Sequence, residues 1–493
     1  MQRRFHQPVR VVHRRALLGV GVGLLALTLG GCASFPDLDS LAVFKPISDY
    51  QTSSSFTAPA TAWPEESWWH GYGDKQLDSL IDEALRDSPD MAAAAARLRQ
   101  AEASSQIAGA ALLPQVSANG SATQQRQSYN YLTPKSMTPE GWQDYGRATL
   151  DFSWEIDFWG KNRAALAAAT SMVEASRAEL AQARLVLAAN IATSYAELAR
   201  LFAARDTAAR SVEVRSKTAT LFAERFTNGL ETRGSVRDAE SRRASAEGEL
   251  LQIDEQIALQ RNRLAVLIGA GPDRGLSIVR PAIELGRSFS LPADLPVNLL
   301  GRRPDVVAAR LQTESQLRRI DQKKAEFYPN VNLAAFIGVQ SLGINMLNER
   351  GSTVGSIGPA ISLPIFTGGR LRAELRNSVA TYDETVANYN RTVSQALQEV
   401  ADAGVSQKAL TGRLAKAEEA VAAASEAHRV TSNRYEGGLA NYLEVLSSED
   451  LLLSSLRSLS DLQSRAFSLD VAMIRALGGG YRETQSAANE SNS

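Results

Sequence analysis

The sequence predicts a mainly α-helical chain that is built from two copies of one unit and carries a few amphipathic β-strands. Three observations lead to this prediction. Long stretches are rich in Ala, Leu, Arg, Glu and Gln, which favour helices. Short stretches alternate apolar and polar residues with the period of a strand. Several motifs return in the same order in the second half of the chain, so each unit is read as helix, strand, strand, long helix and helix.

The N-terminus has the composition of a secretory signal. Residues 1–31 contain five Arg and no acidic residue, and an apolar run from Ala16 to Leu29 follows the basic start. This pattern predicts a signal peptide. The rest of the chain is slightly acidic, which argues against a nucleic-acid partner. No later segment offers the roughly 18 consecutive apolar residues of a transmembrane helix.

Cys32 is the only cysteine of the 493 residues, and it directly follows the predicted signal. A single cysteine cannot form an internal disulfide. The sequence LTLGGC that ends at Cys32 resembles a bacterial lipobox, and this resemblance implies a lipidated N-terminus at that residue. The next residue is Ala33 and not Asp, which by the same resemblance favours transfer to the outer membrane.

Recurring Pro and Gly residues reveal the duplication. Pro89-Asp90 and Pro114 return 215 residues later as Pro304-Asp305 and Pro329. Three glycines return after 208 or 209 residues, namely Gly160 as Gly368, Gly229 as Gly438 and Gly269 as Gly478. We therefore predict repeat 1 at residues 76–285 and repeat 2 at residues 286–480, followed by a polar C-terminal tail at residues 481–493.

Each repeat is predicted to contain a long helical hairpin, at about 160–268 and about 370–477. Between Lys161 and Asn228 there is no Gly and no Pro, so one helix there could reach on the order of 100 Å. Apolar residues follow a seven-residue spacing that is typical of a coiled coil, and they are Leu166, Val173, Leu180 and Leu187, with Ile191 and Leu198 continuing the stripe. An ordinary helical bundle is the alternative, although helices of this length rarely fit inside a compact domain.

Four strands are predicted, at about 115–126, 145–158, 330–340 and 353–366. In the second strand the apolar residues are Leu150, Phe152, Trp154 and Ile156, and they alternate with the polar residues Arg147, Asp151, Glu155 and Asp157. Four strands cannot close a membrane barrel, which needs at least about eight, and lipid does not tolerate an open sheet edge. Three chains would supply about twelve strands, with the apolar residues facing lipid and the polar residues lining a lumen. The alternative is a half-buried sheet of a soluble domain.

Several separated segments then resemble one known family. The segments are WEIDFWGKNR at 154–163, LPIFTGGRLRAEL at 363–375, RYEGGLANYLEVL at 434–446, RALGGGYR at 475–482 and WWHGYGDKQLDSLIDEAL at 68–85. They resemble the outer-membrane efflux proteins, the TolC-like outer-membrane factors, and more narrowly their OprM- and NodT-type lipoprotein branch. The resemblance implies a homotrimer with a twelve-stranded barrel in the outer membrane, continued by an α-helical coiled-coil barrel in the periplasm. Residues 32–75 would form an extended, lipidated segment at the equator of that tunnel.

The resemblance also implies a function and its partners. The protein would be the exit duct of a tripartite system that exports drugs or other small molecules across the outer membrane. Its partners would be a periplasmic membrane-fusion adaptor and an inner-membrane transporter of the RND, MFS or ABC type. The resemblance implies no active site and no cofactor.

The resemblance assigns roles to residues near the two predicted helix reversals. Asn228, Gly229 and Leu230, and in the second copy Gly437, Gly438 and Leu439, match the family's periplasmic tips, where the adaptor docks. Glycine also suits any tight helix reversal. Glu444 matches the first acidic position of the family's closed entrance, and Ser447 falls where a second acid is often found. The acidic constriction would then be weaker or shifted toward Glu449 and Asp450, and the alternative for Glu444 is a solvated helix charge.

Other classes of protein fit the sequence less well. Only His70 and His428 follow the predicted signal, which excludes a multi-histidine metal site and leaves no recognisable serine triad. A periplasmic coiled-coil adaptor lipoprotein is the main alternative, but such an adaptor would carry one hairpin flanked by lipoyl-like β-domains. A passive porin would consist mostly of strands.

Overall fold

The computed structural model describes residues 40–46, 49–52, 60–61, 63–130, 134–283, 291–292 and 301–483. The predicted signal peptide at 1–31, Cys32, and residues 484–493 of the predicted tail lie outside the described residues. The described helices are α1 (Lys75–Asp87), α2 (Pro89–Ala110), α3 (Lys161–Thr227), α4 (Arg233–Leu267), α5 (Pro272–Leu276), α6 (Pro304–Ala325), α7 (Arg370–Glu436) and α8 (Tyr442–Ala476). Short 3₁₀ turns cover Trp68–Tyr72, Lys135–Met137 and Ile344–Met346.

The strands within the described residues form two sheets. Strands β1 (Ala60–Thr61) and β4 (Leu291–Pro292) pair in parallel. The other four strands are β2 (Gln115–Gln125), β3 (Gln143–Ile156), β5 (Asn330–Leu342) and β6 (Thr353–Ser362). They form one antiparallel sheet in the order β2-β3-β5-β6. The last predicted strand extends to residue 366, whereas β6 ends at Ser362, just before Leu363-Pro364, and its Pro359 is accommodated because β6 is an edge strand.

The element order repeats, as the duplication predicts. Helix α2, strands β2 and β3, and helices α3 and α4 are followed by the same series α6, β5, β6, α7 and α8. The long helices α3 and α7 each have 67 residues, and the returning helices α4 and α8 each have 35 residues. The predicted fold class, mainly helical with a small set of amphipathic strands in a duplicated unit, is confirmed.

Each repeat also closes in the same way. Gly269 follows α4 with φ 78°, and a Cβ there would lie 2.8 Å from the Pro89 ring at the start of α2. Gly478 follows α8 with φ 86°, and a Cβ there would lie 1.9 Å from the carbonyl oxygen of Arg302, just before α6. Both positions therefore require glycine for conformation and for space.

The chain divides into two compact units. Of the described residues, one unit comprises 40–43, 101–130, 134–173 and 312–387, and it contains the four-stranded sheet. The other comprises the described residues between 44 and 100, between 174 and 311, and from 388 to 483. Its main apolar core includes Trp69 and Ile81 beside Leu187, Ile191 and Leu198, three members of the predicted heptad stripe. Among the described helices, none is both long enough and apolar enough to span a membrane.

Candidate functional site

Two helix reversals with nearly identical geometry end the hairpins. Gly229 has φ 70° and its N–H donates to Phe226, while Gly438 has φ 73° and its N–H donates to Tyr435, both over 3.0 Å. The next N–H groups, of Leu230 and Leu439, reach back five residues to helix carbonyls over 2.8 and 2.7 Å. This is the Schellman arrangement, and a left-handed residue at that position is most often glycine.

The tips expose apolar side chains. Leu230 is 68% exposed and Leu439 is 74% exposed. The tips lie side by side, because the Arg225 guanidinium donates to the Tyr435 hydroxyl over 3.2 Å. Asn228 uses its side-chain amide to donate to the Glu224 carbonyl, which closes the first reversal. Two exposed leucines on hydrogen-bonded turns form a small apolar surface that a helical partner could contact.

The Glu444 side chain has a structural role in addition to carrying a charge. Asn441 is the N-cap of α8, its side chain accepts from the Glu444 N–H over 3.0 Å, and the Glu444 carboxylate accepts from the Asn441 N–H over 3.2 Å. These reciprocal bonds form a capping box. The Arg434 guanidinium lies 3.8 Å from the same carboxylate, which remains partly exposed. Ser447 lies one turn further along α8 and lines an open groove with Asn441 and Leu451.

A partly buried charge cluster joins α3 to α8. The Arg215 guanidinium donates to Asp450 over 2.8 Å, and its Nε lies 3.6 Å from Oε1 of Glu449, which is 5% exposed. Burial raises the pKa of the Glu449 carboxyl, and the charge of Arg215 opposes that rise. Phe222 and Tyr442 pack edge to face nearby, with ring centroids 4.4 Å apart. Breaking such a cluster at one partner would leave a buried charge without compensation.

The four-stranded sheet has one apolar face that runs across every strand. Leu150 of β3 lies opposite Ala118 of β2 and Ile337 of β5. Further members of this face are Val116, Phe152, Trp154, Ile156, Leu333, Ala335, Ile357 and Ile361. Several of them are widely exposed, and a groove of about 590 Å³ runs between Val116, Phe152 and Ile357. A continuous exposed apolar face of this kind marks a surface that another apolar phase covers.

The opposite face of the sheet is polar. Asp151 accepts a hydrogen bond from the Asn119 amide of β2 over 2.9 Å and shares another of 2.7 Å with the Thr149 hydroxyl. Arg147 extends along the same face and lies 5.1 Å from the centre of the Phe336 ring of β5. Phe336 is an apolar member of this face that sequence reasoning missed. Its position follows from the odd-to-even pairing of β3 with β5, which a single strand does not reveal.

Two predicted lumen residues have local partners at the end of β3. Glu155 forms an ion pair with Lys161 of α3. Asp157 lies beyond the strand, which ends at Ile156, and its carboxylate accepts from the N–H groups of Asn162 and Arg163 over 3.2 and 2.9 Å. The prediction that the strand continues to residue 158 is therefore corrected. Asp157 caps α3, because carboxylates are favoured where helix N–H groups lack partners.

Comparison with known proteins agrees with this architecture. The model of the outer membrane efflux protein family matches residues 80–270 and 295–479, so it covers both repeats. The multidrug resistance outer membrane protein MdtP of Escherichia coli is 30% identical over 86% of this chain and 88% of its own length. The fusaric acid resistance protein FusA of Burkholderia cepacia is 36% identical over 73% of this chain and 69% of its own length.

Solved structures of outer-membrane proteins share the fold. VceC of Vibrio cholerae is 48% identical, with a TM-score of 0.80 over 85% of this chain and all of that chain. The outer-membrane channel OprN is 26% identical, with a TM-score of 0.78 over 91% of this chain and 99% of that chain. The family model extends over most of the sequence and follows both copies of the duplicated unit. The chain belongs to the outer membrane efflux protein family.

Proposed function

We propose that the mature chain forms the outer-membrane exit channel of a tripartite efflux system, as a homotrimer. The observation that carries the proposal is the sheet with two contrasting faces. Its apolar face is exposed and its polar face holds Arg147 and Asp151, while β2 and β6 leave two edges open within the described chain. Lipid does not accept open edges, so three sheets joined edge to edge would close a twelve-stranded barrel. Leu150, Phe152, Trp154 and Ile156 would then meet lipid.

The helical hairpins would continue the duct into the periplasm. The tips at Asn228–Leu230 and Gly437–Leu439 would dock a periplasmic adaptor, which joins the channel to an inner-membrane transporter. The exposed Leu230 and Leu439 side chains on adjacent, glycine-closed turns support this assignment. The periplasmic adaptor alternative for this chain is not favoured, because the efflux family model matches both repeats. Cys32 would carry the lipid that anchors the N-terminus.

The entrance would be controlled near the start of α8. Glu444 and Ser447 line one groove beside that helix, and Arg215 contacts Glu449 and Asp450 of the same helix. Opening the entrance would require α8 to move away from α3, which would break the Arg215 contacts. The cargo would be small organic compounds, as the names of the relatives MdtP and FusA indicate for those proteins.

The first test is the subunit count of the mature protein, extracted from outer membranes in detergent and measured by light scattering with the detergent mass subtracted. We expect three subunits. A monomer, or a protein that is released without detergent after removal of its lipid, would contradict the proposal.

The second test concerns the tips. Cysteine at position 230 or 439, labelled with a photo-crosslinker in cells, should give an adduct with the adaptor. Cysteine at Val266, which is equally exposed on α4 but far from the reversal, is the matched control and should give none. Equal crosslinking at all three positions would contradict docking at the tips.

A further inference from the structure

One end of the sheet, where α2 and α6 end and α3 and α7 begin, exposes aromatic side chains. Strands β3 and β6 run in the same direction, so both reach this end, where Phe158 and Phe366 follow them. These rings occupy equivalent places in the two repeats and are 62% and 90% exposed. Trp159 stacks on Tyr328 with centroids 4.5 Å apart, and its indole N–H donates to the Pro329 carbonyl over 2.9 Å. Aromatic residues with polar tips favour the boundary between lipid and water.

The segments that form this end of the sheet are rich in basic side chains. Residues 155–163, 323–330 and 362–376, which form this end, contain seven Lys or Arg and four Asp or Glu. The other end, residues 126–130, 134–144 and 342–353, contains three basic and three acidic residues. The excess positive charge is therefore confined to one end of the sheet.

Part of this charge is already neutralised within the chain. Lys323 contacts Glu326 and Glu374, and Arg370 contacts Glu374 over 2.7 Å. By contrast Lys324, Arg372 and Arg376 are exposed, and they form no ion pair with any acidic residue in the described part of the chain. Lys324 lies at the end of α6, and Arg372 and Arg376 lie in the first two turns of α7, so three cations occupy the helix ends that adjoin this end of the sheet. Together with the exposed aromatic rings they suit an anionic amphiphile.

We propose that this basic end, defined by Lys324, Arg372 and Arg376 with Phe158 and Phe366, binds the headgroups of anionic phospholipids. Each phosphate would accept hydrogen bonds from the guanidinium groups, while the rings enter the acyl region that continues the apolar face of the sheet. The inference rests on the proposed function, since it places the sheet in a membrane. It adds a preference for lipid charge at the leaflet next to the helices.

The test is a titration of the delipidated, full-length protein in neutral detergent with fluorescent phosphatidylglycerol, and with phosphatidylcholine of the same chains. We expect phosphatidylglycerol to bind about tenfold more tightly at low salt, because basic residues near a surface each add to the attraction. This preference should weaken at high salt, since salt screens exposed charges.

The variant K324Q/R372Q/R376Q should lose the preference. The matched control, R126Q/K135Q/R350Q, removes the same charge from the other end of the sheet and should keep it. Equal binding of the two lipids by the wild-type protein, or an unchanged preference in the first variant, would overturn the inference. Competition by inorganic phosphate as effective as that by phosphatidylglycerol would also overturn it, because the site would then recognise free phosphate.

Light scattering on the same sample separates this inference from the proposed function. A protein that is not trimeric contradicts the proposed function. A trimer without lipid preference contradicts only the inference.

Discussion

The two hairpins have helices of equal length, but the charged residues near the starts of α4 and α8 have different ion-pair partners. Near the start of α4, Asp238 pairs with Arg242 and Glu240 pairs with Arg237, so each pair lies within one helix. At the corresponding turns of α8, Glu449 and Asp450 are directed to Arg215 of α3. At these turns α4 pairs its charges within one helix, whereas α8 pairs its charges with α3. An ion pair between helices can act as a latch, and one within a helix cannot.

Removing the latch should have the largest effect. R215A leaves Glu449 buried beside Asp450 without its cation, so we expect the local opening free energy of α8 to fall by roughly 3 kcal/mol. Hydrogen exchange of the α8 amides measures this change, and single-channel recordings should show more frequent opening. R237A removes the corresponding cation within α4 and should change the local opening free energy by less than about 0.5 kcal/mol. Similar effects of the two variants would remove the distinction between the hairpins.

The second effect concerns packing between the hairpins. Tyr442 belongs to a cluster with Phe222, Val236 and Ala239. Y442A should lower the opening free energy at the start of α8 by about 2 kcal/mol, because a half-buried ring and its edge-to-face contact are lost. Y442F keeps the ring and should retain most of the protection. A large loss in Y442F would assign the effect to the hydroxyl instead.

The third effect separates the cap from the charge at Glu444. E444A removes the capping box and should lower the local opening free energy of the first turn of α8 by about 1 kcal/mol. Faster hydrogen exchange of the amides in that turn measures this loss. E444Q can form the same bonds without a charge, so it should preserve protection while it lowers the cation preference of the channel in a salt gradient. If the E444Q channel keeps the cation preference of the wild type, the Glu444 charge does not set that preference, and the residue has only its structural role.

The smallest effect is a pH dependence. Burial raises the pKa of Glu449 above its usual value of 4.5. The Glu449 carboxyl therefore holds its proton more tightly in the folded hairpin than in the unfolded chain. Its contribution to the free energy of unfolding is complete below pH 4.5 and is lost as the pH rises through the folded pKa. The stability of E449Q relative to wild type should therefore increase between pH 4.5 and neutrality. A relative stability that stays constant over this range would mean that Arg215 fully offsets the burial.

Local patterns predicted the elements well. The alternation from Arg147 to Ile156 indicated both faces of β3, and the recurring Pro and Gly residues indicated where helices turn. These signals are local, since strand period and left-handed turns depend on neighbouring residues. Asp157 shows the limit of such a pattern. The alternation of polar and apolar residues continues through Asp157, but the chain turns at Gly160, with φ 76°. The Asp157 carboxylate then accepts a hydrogen bond from the Arg163 N–H at the start of α3.

Contacts between distant segments could not be predicted in the same way. Arg215 and Glu449 lie on helices that are charged along much of their surface, and nothing in either segment selects one partner. Phe336 was missed for the related reason that its face depends on the register of β5 against β3. The capping role of Glu444 was available from the Asn441-to-Glu444 spacing, which is a known helix start signal.

The equal lengths of the paired helices impose a rule on how this protein can evolve. Arg225 of one tip reaches Tyr435 of the other, so the hairpins must end at the same height. A seven-residue insertion in one long helix would displace its tip by about 10 Å, far beyond the reach of that hydrogen bond. Lengthening or shortening is thus tolerated only when both halves of the gene change together, and relatives with longer hairpins should carry matched insertions in both copies.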